Sequence, residues 1–357
     1  MTALFWTAVA VIAYVYAGYP ALLAIWARGR REAGADVPVP RTVLPPVTVI
    51  IAARDEARRL PARIENILAS DYPTELLQII VASDGSSDDT AEVLASYAPQ
   101  VEVLRLPPGG KAVALNAAVA RARHATLVFA DARQRFAPDA IRRLVARLAQ
   151  PRVGAVSGEL VIDSGSSTIG EGVGTYWKYE TWLRRREAAV DSTLGVTGAI
   201  YAMRRTLWRP LPAGTLLDDV LAPMRVVLQG YRVVFEERAL AFDDAPGNAA
   251  AELRRKVRTL AGNFQLLAQE PRLLVPVVNP VWLQFVSHKV GRLLVPYALA
   301  ALYAASVALA GTSLFYTAAF GAQSAFYVLA IYGALLDRRH HTAPAPAAPG
   351  EAYREAA

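Results

Sequence analysis

The sequence predicts an α/β domain in which parallel strands alternate with helices, preceded and followed by apolar segments. Two apolar runs, 47–53 and 77–82, each end in polar residues, and residues 62–69 between them have helical spacing of their apolar side chains. A strand, a helix and a second strand of this kind form a right-handed crossover, so the carboxyl ends of both strands meet at one edge of a sheet. Ligands of open α/β sheets bind at that edge.

The apolar segments at the two ends are long enough to cross a bilayer. The chain is 54% hydrophobic with a mean hydropathy of +0.25, which is high for a soluble enzyme. Residues 1–27 carry no charged side chain, and residues 293–336 carry none over 44 positions. A helix of about 20 apolar residues spans a membrane. We therefore expect a retained amino-terminal anchor, in preference to a cleaved signal peptide, and two later spans joined near Gly311.

A segment rich in proline and basic residues precedes the last two spans. Residues 270–292 contain Pro271, Pro276 and Pro280 among aliphatic and basic side chains. Prolines interrupt helices, so the pattern favours broken amphipathic segments at the lipid headgroups; a fourth, kinked span is the alternative. The expected organisation is an anchor (1–27), a linker (28–46), a central domain (47–269), interfacial segments (270–292), two transmembrane helices (293–336) and a tail (337–357).

The net charge of +7 first suggests nucleic acid as a partner. Many arginines flank the apolar segments, where attraction to anionic lipid explains them, and no zinc pattern or nucleic-acid motif is present. We therefore expect membrane lipids and no nucleic acid. Cytoplasmic loops are enriched in basic residues, so the clusters at 28–31 and 338–339 predict a multi-pass protein of the cell (inner) membrane with a cytoplasmic central domain. The absence of cysteine excludes thiolate catalysis.

Polar turns follow the strands of the central domain. They read Ala-Arg-Asp-Glu at 53–56, Ser-Asp-Gly-Ser at 83–86 and Gly-Gly-Lys-Ala-Val-Ala-Leu-Asn at 109–116. In these turns the chain resembles the family 2 glycosyltransferases, the group that includes the cellulose, chitin and hyaluronan synthases, and the resemblance continues to about residue 262. It implies the GT-A fold, with a Rossmann-like mixed sheet, and transfer of a sugar from a nucleotide-sugar donor.

The resemblance implies that the first two turns hold the nucleotide of the donor. The residues concerned are Ala53, Arg54, Glu56 and Asp84. Ser83 replaces the first of the family's paired aspartates, which leaves Asp84 as the expected contact of the uracil or the ribose.

The donor diphosphate is expected at two further positions. Lys111 follows two glycines at the start of a predicted helix, and an ammonium at a helix amino terminus suits a diphosphate; a solvated turn is the alternative. Asp131 ends another strand, where the family has an Asp-x-Asp pair whose carboxylates hold Mg²⁺ or Mn²⁺. Here Arg133 takes the place of the second aspartate. Either Asp131 and the diphosphate suffice to hold the metal, or Arg133 neutralises phosphate charge and metal dependence is weaker.

A pair of carboxylates, Asp218 and Asp219, precedes a predicted helix that is closed by Gly230. Inverting transfer requires a carboxylate that accepts the proton of the acceptor hydroxyl, and the family places it in such an acidic turn. The resemblance therefore implies Asp219 as the catalytic base and Asp218 as its acidic neighbour. Capping of the helix is the alternative.

Arg258 matches the arginine of the Gln-x-x-Arg-Trp motif of polymerising relatives and is expected to clamp the leaving diphosphate. Arg255 and Thr259 replace the glutamine and the tryptophan, which removes a stacking platform for a growing glycan and argues against a processive synthase.

The acceptor is expected near three residues. Gly198 and Tyr201 lie in a stretch that resembles the family's Gly-rich acceptor strand, and Trp177 could stack on a sugar face. Core packing is the alternative for the two aromatic residues.

The protein expected from these features is a membrane-anchored inverting glycosyltransferase. Its donor would be a nucleotide sugar, with a uridine nucleotide favoured, and its acceptor a lipid-linked or membrane-associated glycan. The alternatives are a processive polysaccharide synthase, a polyprenyl-phosphate glycosyltransferase and a catalytically silent membrane scaffold.

Overall fold

An eight-stranded mixed sheet forms the centre of the computed structural model, which describes residues 1–30, 44–163, 168–244 and 249–342. Its strands are β1 (Val47–Ala53), β2 (Leu77–Asp84), β3 (Val101–Leu106), β4 (Thr126–Ala130), β5 (Arg135–Phe136), β6 (Val153–Asp163), β7 (Ile200–Arg204) and β8 (Arg232–Asp244). Their order across the sheet is β3-β2-β1-β4-β7-β6-β8-β5. The strands from β3 to β4 are parallel, whereas β7 is antiparallel to both of its neighbours. The predicted α/β class is confirmed.

Strand β1 is apolar on both sides because both faces of the sheet are covered. Ile50 packs in one core with Ile80 and Phe129, whereas Val49 and Ile51 pack in the core on the other face. Successive side chains of a strand point to opposite faces. The sequence of a strand buried on both faces is a continuous apolar run, as it is at residues 47–53.

Helices cover both faces of the sheet. Up to residue 269 the α-helices of the described residues are α1 (Thr2–Ala13), α2 (Tyr19–Trp26), α3 (Leu60–Leu68), α4 (Thr90–Ala95), α5 (Lys111–Arg121), α6 (Ala140–Leu148), α7 (Thr168–Val190), α8 (Asp218–Leu228) and α9 (Ala249–Gln269). Helices α5 and α8 pack into the first core through residues such as Leu115 and Leu221. Helices α3 and α6 pack into the second core through Ile64 and Leu144. The crossover helix α3 lies where the apolar spacing predicted it.

Strands β1, β2 and β4 end at the same edge of the sheet. In their parallel pairing Ala53 lies opposite Ser83, and Ile51 lies opposite Ala130. The polar turns that follow these strands are therefore neighbours in space, as expected for a ligand site at the carboxyl edge.

Among the described residues, three helices are long and apolar enough to cross a membrane: Thr2–Trp26, Trp282–Leu309 and Leu314–Gly333. The first joins α1 to α2 through a π-helical turn. The second comprises α10 (Trp282–Phe285), a π-helical turn and α11 (Gly291–Leu309), and the third belongs to α12 (Leu314–Thr342). The turn between α11 and α12 includes Gly311, where the sequence placed it.

The boundary expected at residue 292 does not coincide with a break in the chain's helical structure. Residues 282–292, expected as broken interfacial segments, are helical and continue into the span that follows. Pro276 and Pro280 lie before this helix begins, so they do not interrupt it. Most of the expected linker and tail falls outside the described residues, at 31–43 and 343–357.

The chain divides into two units, residues 14–293 and residues 1–13 with 294 onward. The second unit has a small apolar core that contains Phe5, Ala305 and Leu309. The ring of Phe5 meets Tyr316 edge to face, with 5.1 Å between ring centroids. Large apolar side chains such as Leu329 are exposed on α12, which suits a lipid environment.

Candidate active site

Two loops at the carboxyl edge of the sheet are bonded to each other. The carboxylate of Asp55 accepts hydrogen bonds from the backbone N–H of Ser87 at 2.7 Å and from its hydroxyl at 3.2 Å. The backbone N–H of Asp55 donates to the hydroxyl of Ser86 at 3.1 Å. Asp55 has a φ of +54°, a left-handed conformation that aspartate tolerates better than most residues. These bonds fix the turn after β1 against the turn after β2.

The residues expected to hold the nucleotide lie on this edge. Ala53 is buried at the end of β1, and Arg54 is exposed directly after it. Glu56 is partly buried, where its backbone N–H donates to the Thr90 hydroxyl at 3.1 Å and its carboxylate pairs with Arg59 at 2.8 Å. Arg54 and Glu56 therefore both lie in the turn after β1, at the carboxyl edge of the sheet.

The carboxylate of Asp84 holds the turn that precedes α5. Its Oδ1 accepts hydrogen bonds from the backbone N–H groups of Gly109 at 2.7 Å and Gly110 at 3.0 Å. Gly110 has a φ of +86°, which favours glycine because other residues carry a Cβ that clashes in this conformation. Asp84 is buried and engaged with the backbone, and its contact with the uracil or the ribose stays a prediction. The bonds to the backbone position Lys111.

Lys111 links the edge of the sheet to the acidic pair. Its Nζ lies 3.1 Å from Oδ1 of Asp131 and 3.3 Å from Oδ2 of Asp218. Burial would lower the pKa of Lys111, but the carboxylates of Asp131, Asp218 and Asp219 outweigh it and raise the pKa above its ordinary value. The ammonium is therefore charged at any physiological pH. It is also one-third exposed, so a ligand in the cleft can reach it.

The acidic pair opens helix α8. Asp218 is buried, and the N-cap residue of α8 is Leu217, whose side chain has no oxygen to cap the helix. Burial, together with the charge of Asp218, raises the pKa of Asp219 to about 6. Lys111 is one of the cations that oppose this shift. A carboxylate with such a pKa is ionised at neutral pH and still basic enough to accept a proton.

Gly198 lies directly against the acidic pair. A Cβ placed on Gly198 would lie 3.3 Å from the Cβ of Asp219 and 3.5 Å from its Oδ2. The backbone N–H of Val196 donates to the backbone oxygen of Asp219 at 2.8 Å. The stretch expected to contact the acceptor therefore lies beside the expected base, and a Cβ at residue 198 would contact Asp219 closely.

Tyr201 lies below the carboxylates, with its ring in the core. Its ring stacks on Phe129 at 4.4 Å between centroids, and the residue is 1% exposed. Burial raises the pKa of Tyr201, as do the charges of Asp218, Asp219 and Asp131. The ring of Tyr201 thus packs in the core, which was the alternative to a contact with the acceptor. The charges of the acidic pair act on its hydroxyl.

Trp177 lies on α7 beside β6. Its indole Nε1 donates to the backbone oxygen of Leu160 at 2.6 Å, and the guanidinium of Arg184 lies 5.4 Å from the ring centroid. The ring is partly buried. Arg184 was not identified from the sequence, because nothing in the spacing along α7 distinguishes it from the neighbouring arginines.

Arg133 pairs with a residue of β8. Its guanidinium pairs with the buried carboxylate of Asp243 on β8, which also accepts a hydrogen bond from Nε2 of Gln134 at 2.9 Å. The pair ties the turn after β4 to β8. Sequence reasoning missed Asp243 because it is 110 residues away from Arg133 along the chain.

Arg258 approaches the acidic turn from α9. Its guanidinium donates to the backbone oxygen of Leu216 at 3.2 Å, two residues before Asp218. The same helix exposes Leu253, Val257, Leu260 and Phe264. Arg258 therefore lies next to the candidate site, on a helix with an exposed apolar stripe.

A metal would have few protein ligands here. Among the described residues, no group of three or more His, Cys, Asp or Glu side chains could hold an ion. Asp131 does offer a partly exposed carboxylate next to the donor loops. Mg²⁺ and Mn²⁺ prefer hard oxygen ligands, and Mg²⁺ often binds through one or two carboxylates together with phosphate and water. The chemistry of Asp131 fits a metal that is shared with a diphosphate.

Comparison with known proteins bears on the same residues. Residues 48–208 match the family described as Glycosyl transferase family 2. The poly-beta-1,6-N-acetyl-D-glucosamine synthase of Staphylococcus epidermidis is 23% identical over 237 residues, which cover 63% of this chain and 56% of that protein. The synthase of the same name from Staphylococcus aureus is 23% identical over 236 residues with the same coverage. This chain thus spans little more than half the length of these relatives.

One solved structure is similar over almost the whole chain. The mannosyltransferase PcManGT from Pyrobaculum calidifontis, in complex with GDP-Man and Mn²⁺, is 25% identical with a TM-score of 0.69. The match covers 91% of this chain and 92% of that one. Motifs, fold and family model agree, and the resemblance found in the sequence is confirmed. Residues 48–208 therefore form a domain of Glycosyl transferase family 2, and the chain has the GT-A fold of the similar mannosyltransferase.

Proposed function

We propose that the protein is an inverting glycosyltransferase that moves a sugar from a nucleotide sugar to a hydroxyl group of a lipid-linked or membrane-associated glycan. The observation that carries this proposal is the position of Lys111, whose ammonium lies within 3.3 Å of both Asp131 and Asp218. The donor edge of the sheet and the acidic pair are therefore parts of one site.

In the proposed reaction, the acceptor oxygen attacks C1 of the donor sugar from the face opposite the diphosphate. The bond between C1 and the diphosphate oxygen breaks, and the acceptor proton passes to the carboxylate of Asp219. Lys111 is fixed in its charged form and stabilises the negative charge that develops on the leaving diphosphate. Arg258, held at Leu216, has further N–H donors that can bind the same group.

The donor is proposed to lie across the turns after β1 and β2. Arg54 is exposed at this edge, and the bonds between Asp55 and Ser87 keep the cleft in shape. The resemblance favours a uridine nucleotide, whereas the similar mannosyltransferase is solved with GDP-Man. The nucleotide base of the donor is therefore the first property that an assay must determine.

Asp131 is proposed as the protein ligand of Mg²⁺ or Mn²⁺. The similar mannosyltransferase is solved with Mn²⁺, and the Asp131 carboxylate is accessible beside Lys111. When bound, such an ion would neutralise charge on the diphosphate. Arg133, paired with Asp243, is proposed to hold the turn that presents Asp131.

We further propose a multi-pass protein of the cell membrane with its catalytic domain in the cytoplasm. Three candidate spans support the membrane location. Arg28 and Arg30 follow the first span, and Arg338 and Arg339 follow the last. Basic residues of this kind remain on the cytoplasmic side.

A donor-release assay tests this function. The full chain in lipid nanodiscs is incubated with UDP- and GDP-sugars, a membrane extract as acceptor and Mn²⁺, and the released nucleotide is measured. We expect nucleotide to be released either from UDP-sugars or from GDP-sugars, but not from both. We expect this release to require Asp219. Glu75→Gln, a change at an exposed carboxylate far along the sequence from the acidic pair, is the matched control. Folded protein that releases no nucleotide from any donor would contradict the proposal, and long polymeric products would favour a processive synthase.

A further inference from the structure

The helix at residues 282–292 presents a polar face to α7. Nδ1 of His288 lies 2.6 Å from Oε1 of Glu187, and Arg292 lies 2.6 Å from Oε1 of Glu180. Residues 288 and 292 are four positions apart, so they share one side of the helix. Lys289 lies beside them, three positions before Arg292, and its charge interacts with that of Glu180.

The carboxylates on this face already have partners. Glu187 also accepts a hydrogen bond from the hydroxyl of Tyr19 at 2.9 Å, and Glu180 lies 3.6 Å from Nε2 of His288. Lys289 is partly buried, yet in the described ranges it forms no hydrogen bond and no ion pair within 4 Å. Keeping an ammonium away from water without an anion in direct contact is costly. The position is therefore suited to an anion that comes from outside the chain.

Arg184 of α7 is a second cation, and its charge acts on Lys289. Its guanidinium donates to the hydroxyl of Thr197 at 2.8 Å and forms no ion pair with the carboxylates of the described residues. Thr197 precedes Gly198, which lies against Asp219. The charges of Arg184 and Lys289 both act on Asp219, so both cations flank the proposed base.

The sheet order places Arg184 on the acceptor side. Its anchor, Thr197, belongs to the turn before β7, and β4 separates β7 from the donor strands β1 and β2. In an inverting reaction the acceptor lies opposite the leaving diphosphate. An anion bound by Arg184 and Lys289 therefore belongs to the acceptor.

We propose that Arg184 and Lys289 bind the phosphate of a lipid-linked acceptor and so select anionic acceptors over neutral ones. This inference rests on the proposed function and names the chemistry of its acceptor. Lys289 lies near the start of the candidate span Trp282–Leu309, and the end of a span is the depth at which lipid phosphates lie. A guanidinium together with an ammonium is a suitable pair for a phosphate.

Binding of defined lipids tests the proposal without a donor. The full chain is placed in nanodiscs of neutral phosphatidylcholine, and the affinities for farnesyl phosphate, farnesol and decyl glucuronide are compared. Two variants test Lys289: Lys289→Gln removes the ammonium, and Lys289→Arg keeps a cation. The matched control is Lys178→Gln, which removes an exposed lysine of α7.

We expect farnesyl phosphate to bind at least about tenfold more tightly than farnesol, because a charge-assisted bond to a phosphate is lost with the alcohol. Lys289→Gln should abolish most of this preference, Lys289→Arg should retain it, and Lys178→Gln should leave it unchanged. Equal binding of farnesyl phosphate and farnesol would overturn the proposal. Preference for decyl glucuronide would overturn the assignment to phosphate and place the anion on the acceptor sugar.

Kinetics separate this role from an effect on the base. If Lys289 only tunes Asp219, Lys289→Gln shifts the pH profile and slows transfer to all acceptors alike, which contradicts selection. If it binds the acceptor, the KM for anionic acceptors rises and donor affinity stays constant. Failure of the donor-release assay with intact binding of farnesyl phosphate would refute the proposed function and leave the anion site standing.

Discussion

The carboxylate of Asp84 is joined to the backbone N–H of Gly110 by two contacts of 3.0 Å, one to each carboxylate oxygen. The bond connects the end of β2 to the first residue before α5. Lys111 is the next residue. These contacts therefore fix the backbone position from which the Lys111 side chain reaches the acidic residues.

We therefore expect Asp84→Asn to weaken donor binding by loosening the turn that positions Lys111. An amide supplies one acceptor oxygen and no charge, so the bonds to Gly109 and Gly110 weaken by about 1.5–3 kcal/mol in total. The donor KM should rise about tenfold, and the thermal midpoint should fall. Asp89→Asn, at an exposed carboxylate that makes no capping bond, is the control. A variant with unchanged stability and unchanged KM would show that the turn does not depend on Asp84.

Asp219→Asn is expected to abolish transfer and to preserve donor binding. Asparagine has nearly the same shape but accepts no proton, so the barrier rises without loss of contacts to the donor. We expect kcat to fall by about a hundredfold or more, with the donor Kd within about twofold, measured by equilibrium binding and by product formation. Glu75→Gln should behave as wild type. Turnover of the asparagine variant at the wild-type rate would remove Asp219 from the mechanism.

The raised pKa of Asp219 gives opposite pH effects on rate and stability. The base must be ionised, so kcat of the wild type should fall as the pH falls through about 6. The folded state holds this proton more tightly than the unfolded chain does, so the contribution to stability is present at low pH and is lost as the pH rises from about 4 to about 6. At pH 7.5 Asp219→Asn should therefore melt above wild type, and at pH 5 the difference should shrink. Lower stability of the variant at pH 7.5 would contradict a raised pKa.

The sheet edge could be predicted from sequence because it depends on local signals. The apolar runs of β1 and β2 define buried strands, and parallel pairing then requires their polar ends to meet. The acidic pair was also visible, since Asp218 and Asp219 immediately precede an apolar helix.

The partners of the site residues could not be predicted, because they depend on contacts between distant segments. Nothing near Arg133 indicates that Asp243 neutralises it, and nothing near Glu187 indicates His288. The continuity of residues 282–292 with the helix that follows could not be predicted for a similar reason. Basic residues in an apolar segment suggested an interfacial stretch, but His288 is buried against a carboxylate of α7.

Arg133→Ala is expected to affect stability more than donor binding. The guanidinium pairs with Asp243, whose side chain is 6% exposed, and a buried carboxylate that loses a cationic partner is destabilising. We expect a lower thermal midpoint and a donor KM within about twofold of wild type. Arg135→Ala, two residues further on and exposed, is the control. A donor KM that rises while the midpoint stays constant would instead support the contact with phosphate suggested by the sequence.

Asp131→Asn tests the metal. Asp131 is the one carboxylate directly after β4, and its oxygen is accessible at 3.1 Å from Lys111. We expect wild type to bind Mn²⁺ in the presence of a nucleoside diphosphate, and the variant to lose this binding together with activity, because an amide is a poorer ligand of a hard cation. Mn²⁺ binding is measured by electron paramagnetic resonance and activity by nucleotide release, with and without chelator. Asp139→Asn, at the partly exposed carboxylate before α6 that pairs with Arg143 at 2.6 Å, is the control. If chelator leaves the wild type fully active and Asp131→Asn retains activity, transfer does not use a metal at this carboxylate. Lys111 and Arg258 would then have to neutralise the charge of the diphosphate.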